Sequence, residues 1–155
     1  MTDSTVQQPS FAFIAASWAA LLAGFCAYLV GLFNAGMQLN EKGYYFTVLV
    51  FGLYAAISLQ KSVRDRAEGL PVTGIYYFLS WVALVLSILL LAVGLFNATL
   101  ALSEKGFYAM SFVLALFGSV TVQKNARDIQ ALRPLNSAPN PDAPAFPSRD
   151  AEGSN

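Results

Sequence analysis

Charge is scarce in this sequence: only 12% of its 155 residues are Asp, Glu, Lys or Arg, about half the share of an ordinary soluble domain. Histidine is absent and cysteine occurs once, at Cys26. Those two shortages remove the commonest general base, most transition-metal and haem ligation, and any intrachain disulfide. Nine basic residues balance nine acidic ones, so no basic field exists to recruit nucleic acid. Nucleophile, phosphate-loop and dinucleotide motifs are missing, and no base is placed to activate a Ser, Thr or Tyr. We therefore expect no enzyme, no cofactor and no metal site. What is abundant is hydrocarbon, with 56% of residues apolar. Such a chain lacks the polar cover for water and is expected to face lipid.

The few charges divide the chain. Uncharged runs of 37, 18, 35 and 18 residues lie between Asp3 and Glu41, Lys42 and Lys61, Glu68 and Glu104, and Lys105 and Lys124. A hydrocarbon core of about 30 Å needs roughly 20 helical residues. Four runs of this size predict an all-α polytopic membrane protein, with helices near 11–33, 43–60, 74–96 and 106–123. No span contains Asp, Glu, Lys, Arg or His, which argues against a mid-membrane proton relay. Ser10 and Thr73 stand where N-caps of the first and third helices belong, as do Asn40 and Ser103 for the second and fourth. Seven Lys/Arg fall in the middle loop and the tail, against Lys42 and Lys105 in the other two connections. The positive-inside rule then puts both termini in the cytoplasm. Cys26 reads as a buried apolar thiol.

A shift of 63 residues lays the second half on the first without a gap. Ser17-Trp18 meets Ser80-Trp81, Gly31-Leu32-Phe33-Asn34-Ala35 meets Gly94-Leu95-Phe96-Asn97-Ala98, and Glu41-Lys42-Gly43 meets Glu104-Lys105-Gly106. Gln60-Lys61-x-x-Arg64-Asp65 meets Gln123-Lys124-x-x-Arg127-Asp128, and about 21 of the 49 positions from Ser17 to Asp65 are identical. This is one two-helix hairpin written twice, both copies inserted with the same polarity. Identities concentrate at the membrane boundaries and the apolar stretches between them diverge. The doubled pattern resembles the YiaA/YiaB inner-membrane proteins of bacteria over roughly 11–128. That resemblance implies a bacterial cytoplasmic membrane and brings no activity or functional residues with it.

The expected organisation is a short cytoplasmic segment (1–10), a first two-helix unit (11–65), a cytoplasmic loop (66–73), a second unit (74–128) and a disordered cytoplasmic tail (129–155). From Arg133 onward the tail is rich in Pro, Ser, Ala and Asn, and its prolines oppose helix. Three sets of residues stand out. Gly52-x-x-x-Ala56 and its counterpart Ala115-x-x-x-Ser119 offer small faces for close helix packing, which predicts a central contact between helices two and four. The Leu-rich third helix is expected to face lipid. Asn34, Glu41, Asn97 and Glu104 form a polar set on the outer face. It suits either helix-end capping or a cation-binding pore entrance. Lys61, Arg64, Lys124 and Arg127 are candidates for inner-leaflet anchoring. In that reading Lys61–Asp65 and Lys124–Asp128 pair locally, and the two arginines stay free for lipid phosphate. The functional expectation is a non-enzymatic component acting through lateral helix–helix assembly, with itself or another inner-membrane protein. The alternative is a small-solute transporter or channel with a path between the hairpins or at an oligomer axis.

Overall fold

The computed structural model describes residues 9–137. Four helices follow one another: α1 (Phe11–Asn34), α2 (Leu39–Ala67), α3 (Gly74–Asn97) and α4 (Leu102–Ser137). All four are long and apolar enough to cross a bilayer. The outward face is oily: Phe78, Val93, Met110 and Val113 are all more than half exposed, and water would not tolerate that many such groups together. The chain is a polytopic membrane protein.

Helix ends follow local chemistry. At the start of α1, Ser10 Oγ accepts from the Phe13 amide at 3.2 Å; at the start of α3, Thr73 makes no such side-chain bond. α2 and α4 begin earlier than the charge pattern predicts. Glu41 reaches back to accept the Gln38 amide at 2.9 Å, and Glu104 does the same for Ala101 at 2.8 Å. Each carboxylate supports an extra turn, 39–42 and 102–105, that takes in Asn40 and Ser103, so these lie inside the helices and do not cap them. α2 also runs past its charged end to Ala67. It stops where Gly69 takes φ 74°, with Gly69 N bonded to Arg66 O and Leu70 N to Asp65 O. Pro71 follows. A side chain at that left-handed position is strained, so Gly69→Ala should cost about 1 kcal/mol, measurable by unfolding in mixed micelles. α4 continues to Ser137, through Pro134, where the composition predicts tail. Residues 138–155 of that expected tail lie outside the described residues.

The packing exchanges partners between the repeats. α1 lies chiefly against α4, and α3 chiefly against α2. The helices of one hairpin touch only weakly. α2 and α4 meet in the middle, as their small residues predict. α3 keeps Leu86 and Leu89 outward but buries Leu91 and Leu95, so it is only partly lipid-facing. The 63-residue shift turns one main pairing into the other, a pseudo-twofold relation. On the α1–α4 side backbones approach closely. A Cβ on Gly24 would strike Ala115 N, with Ser111 O at 2.8 Å, and one on Gly118 would strike the Leu21 backbone. The centre is filled by Tyr28, Leu49, Phe112 and Ala115, each essentially inaccessible. Cys26, expected inside, is exposed on α1. An α-helix that is apolar all round gives no stripe by which to tell its inner face.

Candidate functional site

The small-residue set ends up inside the protein. Gly52, Ala56, Ala115 and Ser119 are all buried. Gly52 makes room for the Phe112 ring, whose Cζ would lie 2.5 Å from an added Cβ. Ala115 sits under Gly24. Gly52 and Ala115 thus join α2 and α1 to α4 and offer no outer face to a second protein, while Ala56 reaches the floor of the groove described below.

At the hairpin-loop end, the repeated motifs meet across the units. Gly31 seats the ring of Phe107, and its counterpart Gly94 seats the ring of Tyr44, each with ring carbon 2.7 Å from where a Cβ would stand. Tyr28 donates to Tyr45 O at 3.1 Å, and Tyr44 donates to Leu90 O at 2.7 Å. Glu41, Asn97 and Glu104 line one cavity of about 490 Å³, and Asn34 lines a smaller one with Glu104. All four are exposed, and their strongest bonds go to helix ends. Asn34 and Asn97 donate to Val30 O and Val93 O at 2.8 Å, and the carboxylates hold the amides described above. Lys42 and Lys105, which the sequence does not single out, cap Phe33 O and Phe96 O at 2.9 and 3.3 Å. No cluster of three or more His, Cys, Asp or Glu fit for a metal occurs among the described residues.

At the opposite, basic end, the arginines are not free. Arg64 Nη2 meets Asp128 Oδ1 at 3.4 Å while its Nε donates to Glu68 at 2.6 Å, and Arg127 Nη2 donates to Asp65 at 3.2 Å. Lys124 pairs with Asp128 at 3.8 Å as expected. Lys61 is exposed, and Asp65, its expected partner, is taken by Arg127. The reciprocal Arg64–Asp128 and Arg127–Asp65 pairs bind α2 to α4. Being partly solvated, each should contribute little. A double-mutant cycle on Arg64→Ala and Asp128→Ala should give a coupling of at most about 1 kcal/mol, shrinking with added salt. Beneath them, the Gln60 and Gln123 carbonyls and both arginine Nη1 atoms are buried without partners. Asn125, another residue unmarked in the sequence, is buried and donates to Ser17 at 3.0 Å. The available signal was that Asn125 replaces Ser62 at one of the two positions where the repeated motif differs.

Between α3 and α4 runs a groove floored by α2. Its apolar part, about 490 Å³, is walled by Leu84, Ile88 and Ala92 on one side and Ala109, Val113 and Phe117 on the other. It shares Ala56, Leu84 and Val120 with a part of about 660 Å³ at the basic end, which reaches Gln60, Arg64, Trp81, Lys124 and Asp128. On the other flank the repeat-related positions of Ile88, Ala92 and Ala109 hold Phe25, Leu29 and Phe46. There Phe25 and Leu29 pack onto the core. The groove thus lies where the second repeat exchanged bulk for alanine.

The family model for the YiaA/B two-helix domain matches this chain twice, at 13–65 and 76–128. The chain belongs to that family. Each match is one hairpin, so the family's unit is the pair α1–α2 or α3–α4, and the packing exchange occurs between two such units. Among relatives, the inner membrane protein YiaA of Escherichia coli (strain K12) is 58% identical over 126 residues, 81% of this chain and 87% of its own. The membrane protein YubF of Bacillus subtilis (strain 168) is 41% identical over 58 residues, 37% of this chain and 67% of its own. No solved structure gives a significant match. Neither relative's name specifies an activity.

Proposed function

We propose that this protein is a non-enzymatic component of the bacterial inner membrane that works laterally, receiving another membrane constituent in the groove between α3 and α4. The observation that carries the reading is the asymmetry of the two flanks. A duplicated hairpin needs no difference between its halves in order to pack, yet Ile88 and Ala92 line an open groove on one side where their counterparts Phe25 and Leu29 pack onto the core on the other. Gly52 and Ala115 are used within the monomer and Ala56 floors the groove, so an association in the bilayer falls to that groove. Tyr28, Leu49 and Phe112 fill the space between the hairpins, which disfavours a solute path there. The loop-end cavity beside Glu41, Asn97 and Glu104 supports a transport reading only at an oligomer axis. Both termini are assigned to the cytoplasm by the basic residues, which puts Lys61, Arg64, Lys124 and Arg127 at the inner leaflet.

A photoreactive side chain at position 109 in native membranes should give adducts, lipid or protein, well above those from position 29, which packs onto the core on the other flank. Equal labelling at both removes the lateral reading. Solute flux above background through liposomes of the purified protein would favour transport instead. A periplasmic reporter active after residue 67 contradicts the orientation.

A further inference from the structure

We infer that the groove's occupant is an anionic phospholipid, with an acyl chain between α3 and α4 and its phosphate at the Lys124–Arg64 corner; this rests on the lateral reading above. The groove changes character along its length as a lipid does. From Leu84 to Leu95 its α3 wall is apolar, and at one end it meets Gln60, Arg64, Lys124 and Asp128. Two cations there face one lining carboxylate. Glu68, outside the lining, holds Arg64 Nε, but Arg64 Nη1 is left without a partner. The Lys124 side chain is 57% exposed and holds Asp128 only at 3.8 Å, so its ammonium has donors to spare. Trp81 stands beside them, 44% exposed, at the level where an amphipathic ring suits a headgroup boundary. A neutral transmembrane helix would fill the apolar part but offer no acceptor to the Lys124 ammonium, which has only Asp128 at 3.8 Å, or to Arg64 Nη1, which has none. A phosphate with an attached chain matches both parts. The same basic corner recurs on the other flank, with Trp18, Lys61 and Arg127 as counterparts. There Phe25 and Leu29 take the space a chain would need.

The two tryptophans provide the test, because each reports one flank. Full-length Trp18→Phe, leaving Trp81, is placed in phosphatidylcholine vesicles containing a minor share of phosphatidylglycerol brominated on the proximal acyl chain. It is compared with the same bromine on phosphatidylcholine. Quenching should show phosphatidylglycerol enriched about fivefold beside Trp81, the preference one membrane-proximal cation supplies. Lys124→Gln should cancel it. Ala109→Phe should cancel it too, while leaving the fold intact, since Phe46 occupies the related position; Ala92→Leu, copying Leu29, provides a second filling variant. Trp81→Phe, leaving Trp18, should show less enrichment. Equal enrichment at both tryptophans, or enrichment that survives groove filling, overturns the proposal in favour of headgroup attraction alone. Exclusion of both brominated lipids from Trp81, with protein adducts at position 109, overturns the lipid but leaves the lateral reading standing. No excess labelling at 109 overturns both.

Discussion

Gly24→Leu should destabilise the four-helix assembly by at least about 3 kcal/mol, at or beyond the upper end of what overpacking costs in a core. The added Cβ would land on α4 backbone, at Ala115 N with Ser111 O at 2.8 Å, and backbone cannot swing aside as a side chain can. The only relief is to push α1 away from α4. That forfeits the close packing which holds helices together where lipid tails are as oily as leucine. The Gly118 approach to Leu21 would be lost with it. The contrast lies in the same sequence. Gly43 and Gly106 have nothing within 4 Å of an added Cβ, so alanine there should be harmless or gain about 0.5–1 kcal/mol of helix propensity. Unfolding by dodecyl sulfate in mixed micelles, followed by tryptophan emission and circular dichroism, separates the two classes. A Gly24→Leu protein with an unchanged midpoint would contradict the packing described.

Cutting the chain in the connection between α2 and α3 should produce two pieces that fold only together. α1 takes its main partner from α4 and α3 from α2, so a piece ending after residue 68 lacks the partner of its first helix. One beginning at residue 73 lacks the partner of its first helix as well. Expressed singly, each should insert its spans, since insertion needs only hydrophobic length, yet remain open to protease and label. Co-expressed, the pieces should co-purify with a melting profile close to the intact chain, because exposed connections tolerate such breaks. If either piece alone matches the protection of the whole, the exchanged packing is wrong.

The spans were legible because charge is so sparse that its gaps measure the bilayer, and the duplication was legible because its identities stand in register. The exchange of partners was not. Identical motifs are equally compatible with α1 lying on α2 or on α4, since a repeat shift preserves either choice. The same ambiguity hid the arginines' partners. Lys61 and Asp65 are four apart and look self-sufficient until α4 brings Arg127 within 3.2 Å of Asp65. For Asn34, Asn97, Glu41 and Glu104 the sequence left helix-end capping and a pore entrance both open, and their bonds are of the capping kind. Missed were the extra turn each carboxylate adds and the Lys42 and Lys105 bonds to the preceding helix. Cys26 could not be placed because α1 is apolar on every side. The groove was written in the divergence of the apolar stretches, at Ala92 and Ala109, but divergence carries meaning only once the walls it forms are known.

Ser17 and Asn125 touch although 108 residues separate them. At a synthesis rate of about 5–20 residues per second, α1 waits roughly 5–20 s for the helix it docks against. Through that interval its glycine face looks out on bulk lipid or on whatever escort the insertion machinery provides. Assembly of this molecule is thus deferred until its last span has been delivered, so that ribosomal pausing late in translation lengthens the time an unfinished α1 spends alone.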